Sequence, residues 1–323
     1  MNETPRILVL GASGNTGGAV VKTLRASGAP STGTQSPGVP STGVLSSGAS
    51  SSGVSSSGVP IRTTSTKDVR STGTTRTDTG TDHVRFDWSD PDTYATAVAG
   101  VDRIYLIAPV GVADPVPPVE AFLAEARRAG VRRTVFLSSS AVRTGDPGLG
   151  QVASLVQSVM PEWAVLRPSW FMQNFVGRHP LAEAIRSSRE FVTAAGDGKQ
   201  AFVDAGDIGA TAAALLVDDV AHNGEFYVTG PESISYDDAA AVLTEATGEP
   251  IRHIAVSVEQ RVRQYVDSGY PADFSASLAG LDDLIRTGQN DFVADTVNRF
   301  TGRPPRSLKE FMNEHRDKLL TPR

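Results

Sequence analysis

Short apolar runs alternate with stretches of helical periodicity along the first half of the chain. The runs within 7–10, 103–108 and 133–138 are continuous and end at polar residues, proline or glycine, which is typical of strands buried in a parallel sheet. Apolar residues recur three or four positions apart over 16–26 and 118–129, which predicts amphipathic helices. This alternation predicts an α/β fold with a doubly wound parallel sheet.

The pattern becomes less regular after Pro168. A helix is predicted around 175–187 and a strand near Phe202. We expect a main domain over residues 1–170 and a smaller, mostly helical lobe over 171–323 that is partly interleaved with the sheet. The other predicted strands and helices lie at 61–65, 84–86, 92–99, 149–160, 163–167, 208–217, 224–230 and 235–247.

A low-complexity repeat, residues 28–57, interrupts the first helix-to-strand connection. Glycine occurs at every fifth position from Gly28 to Gly58, in a background of Ser, Thr, Val and Pro. Such a segment has few large apolar side chains to offset the entropy lost on ordering. We therefore expect a disordered insertion that is not an element of the fold.

A glycine-rich motif, Gly-Ala-Ser-Gly-Asn-Thr-Gly over 11–17, directly follows the first predicted strand and opens the first helix. Glycines permit a tight turn and close backbone approach, while free amides at a helix N-terminus bind the charge of a pyrophosphate. In this context the motif predicts an NAD(P)-binding Rossmann domain, and an ordinary glycine-rich turn is the alternative. The predicted contacts are Gly11, Ser13, Gly14, Asn15, Thr16 and Gly17.

The end of the second predicted strand indicates which dinucleotide binds. Many NAD-dependent sheets carry an acidic residue here that binds the ribose hydroxyls, and none ends this strand. Ser65, Thr66 and Lys67 instead offer two hydroxyls and a cation that could bind a 2′-phosphate. NADPH is therefore favoured over NADH, with a solvated polar loop as the alternative interpretation.

Later strands also end in residues that would lie near a bound dinucleotide. Ligands of open α/β sheets bind where the loops at the carboxyl ends of the strands converge. Core packing explains the neighbouring apolar side chains equally well, so position alone indicates contact. The residues assigned to the cofactor on this ground are Asp87, Trp88, Ala108, Pro109 and Ser138.

Taken together, the motifs over 11–17, 85–91, 105–109, 166–175 and 201–208 resemble the NmrA-like, atypical short-chain dehydrogenase/reductase family. Within that family they are most similar to the ergot-alkaloid reductases of the agroclavine dehydrogenase and festuclavine synthase type. The resemblance covers nearly the whole chain except the repeat. It implies an NAD(P)H-binding domain, a loop after the sixth strand that reaches the nicotinamide end through Pro168, and a C-terminal lobe that closes over substrate.

The proton donor of most short-chain dehydrogenases, a Tyr-x-x-x-Lys pair, is absent from this sequence. Ser139, after the fifth strand, and Trp170 are the candidate catalytic residues, although a satisfied serine cluster is as good an explanation for the former. Trp170, Phe171 and Asn174 could form an aromatic substrate wall, or the rings could simply pack the lobes together.

Two carboxylates, Asp204 and Asp207, precede the helix predicted at 208–217. They could bind a substrate amine or cap that helix, and a cap is the favoured role of Asp207. Two functions follow from these observations. One is a reductase that transfers hydride to an iminium, enone, quinone or ketone; the other is an NmrA-like dinucleotide sensor without catalysis.

Composition narrows the partners to small molecules. The 323 residues include 30 Lys+Arg and 36 Asp+Glu, for a net charge of -6, and no basic cluster suggests nucleic acid or membrane binding. There is no cysteine, and the five histidines are scattered, so no metal site is predicted. The apolar stretch at the start is too short for a signal peptide, so a cytoplasmic protein is expected. The oligomeric state is left open.

Overall fold

A computed structural model describes residues 5–27, 59, 61–65, 81–112 and 114–320. The repeat at 28–57 and the predicted cofactor residues Thr66 and Lys67 lie outside these described residues. The strands are β1 (Ile7–Val9), β2 (Ile61–Ser65), β3 (Thr81–Arg85), β4 (Arg103–Ile107), β5 (Arg133–Leu137), β6 (Glu162–Pro168), β7 (Glu190–Thr193), β8 (Lys199–Gln200), β9 (Gly224–Val228), β10 (Ile234–Ser235) and β11 (Arg252–Ala255).

A seven-stranded sheet in the order β3-β2-β1-β4-β5-β6-β9 forms the centre of the protein. All of its strand pairs are parallel. The strand order reverses between β1 and β4, so the connections leave to opposite sides there and open a crevice at the carboxyl ends of the strands. The predicted doubly wound α/β fold is confirmed.

Helices cover both faces of this sheet and form the C-terminal lobe. Their bounds follow the apolar periodicity of the chain closely in the first half. The helices are α1 (Asn15–Ser27), α2 (Asp92–Val98), α3 (Val116–Arg128), α4 (Leu149–Val159), α5 (Pro180–Ser188), α6 (Ala205–Val217), α7 (Tyr236–Thr247), α8 (Val258–Asp267), α9 (Ala272–Arg286), α10 (Thr296–Thr301), α11 (Leu308–His315) and α12 (Asp317–Leu320), with a 3-10 turn at Met172–Phe175.

Two apolar layers hold the sheet between its helices. α2, α3 and α4 pack on one face, and α1, α6 and α10 pack on the other. The helices α1 and α6 approach so closely that a Cβ atom on Gly209 would lie 2.5 Å from the Cβ of Ala19. Because both faces are covered, strand residues such as Leu8 and Val9 are fully buried, as their continuous apolar run predicts.

A third apolar cluster forms the core of the C-terminal lobe. Phe175, Phe191, Phe202 and Tyr236 pack ring against ring, with centroids 5.1–6.4 Å apart. Two small ribbons border this core, the parallel pair β7–β11 and the antiparallel pair β8–β10. Between them the chain returns to the sheet, where it adds α6 and β9.

The helix predicted at 175–187 is shorter and starts later than expected. The 3-10 turn comes first, and α5 begins only at Pro180. His179 is the N-cap, since its ring Nδ1 accepts a hydrogen bond from the backbone N–H of Leu181 at 3.2 Å. Proline suits the first helical position because it has no N–H to leave unpaired. The His179 side chain therefore defines the start of α5.

Candidate functional site

The glycine-rich loop after β1 makes the tight turn that its sequence predicts. The backbone N–H of Gly14 donates to the carbonyl of Gly11 at 2.8 Å, and Gly11 has a φ of +64°. A Cβ atom on Gly11 would lie 2.9 Å from Cδ1 of Ile107, at the end of β4. A Cβ atom on Gly17 would overlap the carbonyl oxygen of Gly11. Larger residues at either position would force this backbone open.

The loop presents an accessible surface at the N-terminus of α1. Thr16 and Gly17 are buried, and the Thr16 side chain faces the buried hydroxyl of Tyr105. Thr16 and Gly17 therefore pack against the interior of the protein, whereas most of the loop is exposed and accessible to a ligand. The exposed members are Gly11, Ser13, Gly14 and Asn15. Free amides at such a helix start are suited to a diphosphate.

The ends of β2 and β3 bring a cation to the same edge of the sheet. Ser65 is the last residue of β2 and lies in register with Arg85, the last residue of β3. The Arg85 guanidinium is 61% exposed and forms an ion pair with Asp90 at 3.1 Å. Arg85 was not among the predicted cofactor residues, although its position at the end of a strand could have indicated this role.

Asp87 and Trp88 are mostly engaged within their own loop. Oδ1 of Asp87 accepts hydrogen bonds from the hydroxyl of Ser89 at 2.7 Å and from its backbone N–H at 2.9 Å. The side-chain bond and then the backbone bond lower the pKa of Asp87. The Trp88 ring meets Phe86 and Phe122 edge to face, at 4.9 and 5.4 Å. It therefore packs on the apolar layer beneath the loop.

The residues after β4 lie next to the glycine-rich loop. Ala108 and Pro109 are buried, and they follow Ile107, which contacts the position where Gly11 lacks a side chain. The next residue, Val110, is 92% exposed. The predicted residues of β1 and β4 are thus brought together at the point where the strand order reverses.

Two buried hydroxyls at the ends of β5 and β6 have no hydrogen-bond partner. Ser138 and Ser169 are 6% and 7% exposed, and both Oγ atoms are unpaired. Buried polar groups are nearly always paired with protein, water or ligand, so these two hydroxyls are candidates for a contact with a water molecule or a ligand. Pro168 is buried beside them. The Oγ of Ser139 instead accepts from the backbone N–H of Ala141 at 3.2 Å and supports a turn.

A buried arginine holds the loop after β5 in place. Arg167, only 1% exposed, lies 2.7 Å from Oε2 of Glu225 on β9 and donates to the hydroxyl of Thr144 at 2.7 Å. It also donates to the carbonyls of Val142 and Ser139. This role of Arg167 was not predicted, although an arginine inside an apolar strand could have indicated it. The serines at the edge are therefore held by a fixed loop.

The stretch after β6 connects the sheet to the lobe. The half-buried Trp170 packs on the lobe core, and the half-buried Phe171 packs on the sheet core and bridges to Val203. The Trp170 Nε1 atom is buried without a partner of ordinary hydrogen-bond geometry. Asn174 follows in the 3-10 turn, where its backbone N–H donates to the Phe171 carbonyl at 3.0 Å. Both rings thus lie at the seam.

The favoured role of Asp207 as a helix cap is wrong. Asp204 is the N-cap of α6, because its Oδ1 accepts from the backbone N–H of Gly206 at 2.9 Å. Asp207 lies inside the first turn, where it pairs with Arg303 at 2.7 Å and accepts from the backbone N–H of Arg306 at 2.7 Å. The helix starts three residues earlier than predicted, so the cap moves with it.

These residues fit a dinucleotide. The glycine-rich loop makes a tight turn whose residues 11 and 13–15 are exposed at the start of α1, and the unpaired hydroxyls of Ser138 and Ser169 lie at neighbouring strand ends. Across residues 5–27, 59, 61–65, 81–112 and 114–320, no three acidic or histidine side chains are grouped to hold a metal. In the same part of the chain, no helix is long and apolar enough to cross a membrane.

A parallel sheet with a glycine cradle at its switch point defines a dinucleotide-binding α/β protein. No family model matches the chain. It is 42% identical to an uncharacterized oxidoreductase (YesF) of Bacillus subtilis, over 72% of this chain and 81% of the relative. It is 32% identical to agroclavine dehydrogenase of Claviceps fusiformis, over 74% and 85% of the two chains. An NAD(P)H azoreductase of Xenophilus azovorans is also 32% identical, over 71% and 80%.

Solved structures show the same fold. Triphenylmethane reductase of Citrobacter, complexed with NADP(H), superposes with a TM-score of 0.71 over 96% of this chain and 99% of that one, at 22% identity. The chain belongs to the NmrA-like family of atypical short-chain dehydrogenases/reductases and is an NAD(P)H-dependent oxidoreductase. The predicted resemblance is confirmed.

Proposed function

We propose that the protein is an NADPH-dependent reductase of iminium ions and conjugated acceptors such as enones and quinones, in preference to simple ketones. The observation that carries this proposal is that residues 140–160, the loop after β5 and helix α4, contain neither tyrosine nor lysine. Reduction of a ketone creates an alkoxide, and a positioned acid contributes typically about 10²–10⁴-fold to such a step. An iminium ion needs no acid, because hydride neutralises its charge.

Conjugated acceptors make a similarly small demand on the protein. Hydride addition to an enone or quinone gives a delocalised anion that water or a serine hydroxyl can protonate. The names of the relatives support this class, since azo compounds and triphenylmethane dyes are conjugated acceptors. Agroclavine dehydrogenase adds a relative whose name refers to an alkaloid.

The chain's own residues would bind and orient the reactants. NADPH, when bound, supplies the hydride. The exposed amides of the glycine-rich loop would hold its diphosphate, and Ser138 and Ser169 would donate hydrogen bonds at the nicotinamide end. Trp170 and Phe171 would hold a flat acceptor and exclude water, which supplies the orientation that hydride transfer requires.

The preference for NADPH rests on the end of β2 and its neighbour. No carboxylate ends β2, and Arg85 lies in register with Ser65. Arg85, together with Thr66 and Lys67, would bind the 2′-phosphate. Hydrogen bonds from a cation to a phosphate are charge-assisted and about twice as strong as neutral ones. Equal dissociation constants for NADPH and NADH, measured by titration calorimetry, would contradict this preference.

Consumption of NADPH across a panel of acceptors tests the reaction. We expect cyclic iminium ions and quinones to react faster than unconjugated ketones. We also expect Trp170→Ala to lower turnover more than Ser139→Ala, because the Ser139 hydroxyl supports a turn. Ketones that react fastest would refute the mechanism. Tight NADPH binding without consumption by any acceptor would instead identify a dinucleotide sensor.

A further inference from the structure

Two valines that follow β4 are exposed to solvent at the carboxyl edge of the sheet. Val110 is 92% exposed, the largest value for a large apolar side chain among the described residues, and Val112 is 48% exposed. Gly111 between them has a φ of +77°, which glycine adopts at little cost, so the valines flank a tight turn. Single exposed apolar residues are common, but two beside one turn at a ligand crevice indicate a surface that a ligand covers.

The order of the strands places this turn along a bound dinucleotide. In the proposed binding mode, Arg85 at the end of β3 binds the 2′-phosphate, the glycine-rich loop after β1 binds the diphosphate, and Ser138 after β5 lies at the nicotinamide end. Because β4 lies between β1 and β5, the turn after β4 lies between the diphosphate and the nicotinamide end. The valines therefore lie on the side of the reacting ring.

The turn also adjoins groups that the structure places at this edge. The last residues of β4 and β5 are in register, so the next residues along the chain, Ala108 and Ser138, are level with each other. Two residues of chain span at most about 7 Å, so Val110 lies within that distance of Ala108. On the side of β1, Cδ1 of Ile107 lies 2.9 Å from where a Cβ atom on Gly11 would be. Val110 is therefore within reach of a ring bound between the glycine-rich loop and Ser138.

The nicotinamide ring changes its charge during the reaction. The reduced ring is neutral, and loss of a hydride, with its two electrons, leaves the oxidised ring as a cation. Moving a cation from water onto an apolar surface costs free energy unless another charge pairs with it. The nearest carboxylate along the chain, Asp114, is engaged at the start of α3, where it accepts from the backbone N–H of Val116 at 3.0 Å. The surface after β4 therefore suits the neutral ring better than the cationic one.

We infer that Val110 and Val112 form an apolar wall beside the nicotinamide, and that this wall makes the protein bind NADPH more tightly than NADP⁺. The neutral ring covers the two side chains, which removes apolar surface from water. The cationic ring loses part of its hydration at the same surface. The oxidised cofactor is therefore bound more weakly and is exchanged for NADPH after each hydride transfer. This inference concerns the redox form of the cofactor and does not depend on which acceptor is reduced.

Calorimetric titration with NADPH and with NADP⁺ tests the wall without turnover. We expect wild type to bind NADPH at least about fivefold more tightly, and the double variant Val110→Thr, Val112→Thr to bring the two affinities within about twofold. Threonine keeps the branched shape and adds a hydroxyl. Val110→Asp should reverse the preference, because a carboxylate attracts the cationic ring. The matched controls are Val220→Thr and Val220→Asp, at a valine after α6 that is 63% exposed, and both should keep the wild-type ratio.

A fragment of the cofactor shows where the valines act. The fragment 2′-phospho-ADP-ribose lacks the nicotinamide, so its affinities for wild type and the threonine double variant should agree within about twofold. A fragment affinity that falls as much as that of NADPH overturns the wall, since the valines would then act at the diphosphate.

The ratio of the two affinities provides the other decisive outcomes. Equal binding of NADPH and NADP⁺ by wild type, an unchanged ratio in the double variant, or a Val110→Asp protein that keeps the wild-type preference each overturns the wall. If the double variant does not fold, Val110→Thr alone replaces it, at the more exposed position, and an unchanged ratio there contradicts the inference. No acceptor is present in these titrations, so failure of the proposed function would leave their result unchanged.

Discussion

At the amino edge of the central sheet, buried arginines are hydrogen-bonded to carbonyl and carboxylate groups, whereas at the carboxyl edge two buried serine hydroxyls have no partner. At the amino edge, Arg133 is 3% exposed and donates to the carbonyl of Leu215 at 2.9 Å and to that of Asp218 at 2.5 Å. Its Nε atom lies 2.8 Å from the Glu162 carboxylate. Arg103 donates to the same Asp218 carbonyl at 2.8 Å. These bonds join β4 and β5 to the end of α6.

At the carboxyl edge, Ser138 and Ser169 are buried almost as deeply as Arg133, and their Oγ atoms have no partner. Unpaired buried hydroxyls are not confined to the carboxyl edge, since Oγ1 of Thr134, near the start of β5, is also buried without a partner. Ser138 and Ser169 differ from Thr134 in lying where ligands of doubly wound sheets bind. We therefore expect the arginines of the amino edge to serve stability and these two serines to serve binding.

The largest expected effect of a substitution is at the amino edge. Arg133→Met should lower the free energy of unfolding by about 3 kcal/mol, because it leaves buried carbonyls and Glu162 without their cation. The NADPH affinity of the folded protein should not change. The matched control is Arg132→Met, whose side chain is 76% exposed and pairs with Glu162 at 3.3 Å; it should cost less than about 1 kcal/mol. Urea titration measures both, and equal losses would break the comparison.

The next largest effect is expected in the glycine-rich loop. Gly17→Ala places a Cβ atom on the Gly11 carbonyl, so we expect the NADPH affinity to fall about 100-fold, or about 2.7 kcal/mol. Gly280→Ala is the control, since that helical glycine has no atom within 4 Å of an added Cβ. It should stabilise α9 by about 0.5–1 kcal/mol and leave NADPH binding alone. Calorimetric titration measures the NADPH affinity of both variants. An affinity equal to that of wild type in Gly17→Ala would show that the turn accommodates the added methyl group.

A smaller effect separates binding from stability at the open hydroxyls. The double variant Ser138→Ala, Ser169→Ala should lose about five- to tenfold in NADPH affinity, while its free energy of unfolding stays within about 0.5 kcal/mol of wild type. Ser235→Ala should do the opposite, because that buried hydroxyl caps α7 by accepting from the Asp238 N–H at 3.1 Å. Loss of such a cap costs about 1 kcal/mol. If the double variant loses stability but no affinity, the open hydroxyls have a structural role.

The smallest effect concerns acid stability. Burial acts to raise the pKa of Glu225, but hydrogen bonds from Arg167, Thr144 and Gln157 together outweigh it, so the pKa lies below the usual 4.5. The folded state therefore holds this proton less tightly than the unfolded state does. The resulting stability is present above pH 4.5 and is lost as the pH falls through the lower pKa of the folded state.

Glu225→Gln should accordingly flatten the acid limb of the stability profile, by less than about 1 kcal/mol because the side chain is partly exposed. Unfolding free energies measured in urea between about pH 3 and pH 6 check this expectation. Glu249→Gln, at an exposed carboxylate, should reproduce the wild-type profile. A Glu225→Gln profile as steep as that of wild type would remove Glu225 from the acid response.

Sequence predicts the central sheet well because its signals are local. The strand predicted at 133–138 is found at Arg133–Leu137, and the helix predicted at 149–160 at Leu149–Val159. The pairing of β7 with β11 was not predicted, since each strand is short and its partner lies far along the chain. Likewise, composition alone does not reveal whether a hydroxyl or amide finds a partner. For this reason the unpaired hydroxyls of Ser138 and Ser169 could be identified only in the three-dimensional structure.

The path of the chain between sheet and lobe also constrains how relatives can exchange parts. β9 joins the sheet beside β6 after the lobe has begun, and α10 packs on α6 and β9 after most of the lobe is complete. A chimera with one crossover after Pro168 would therefore import a foreign outer strand and two foreign helices along with the new lobe. Their contacts with the resident sheet, such as the close fit of Gly209 on Ala19, would be mismatched. We expect acceptor specificity to be transferable by substitutions along the seam, and not by recombination at a single breakpoint.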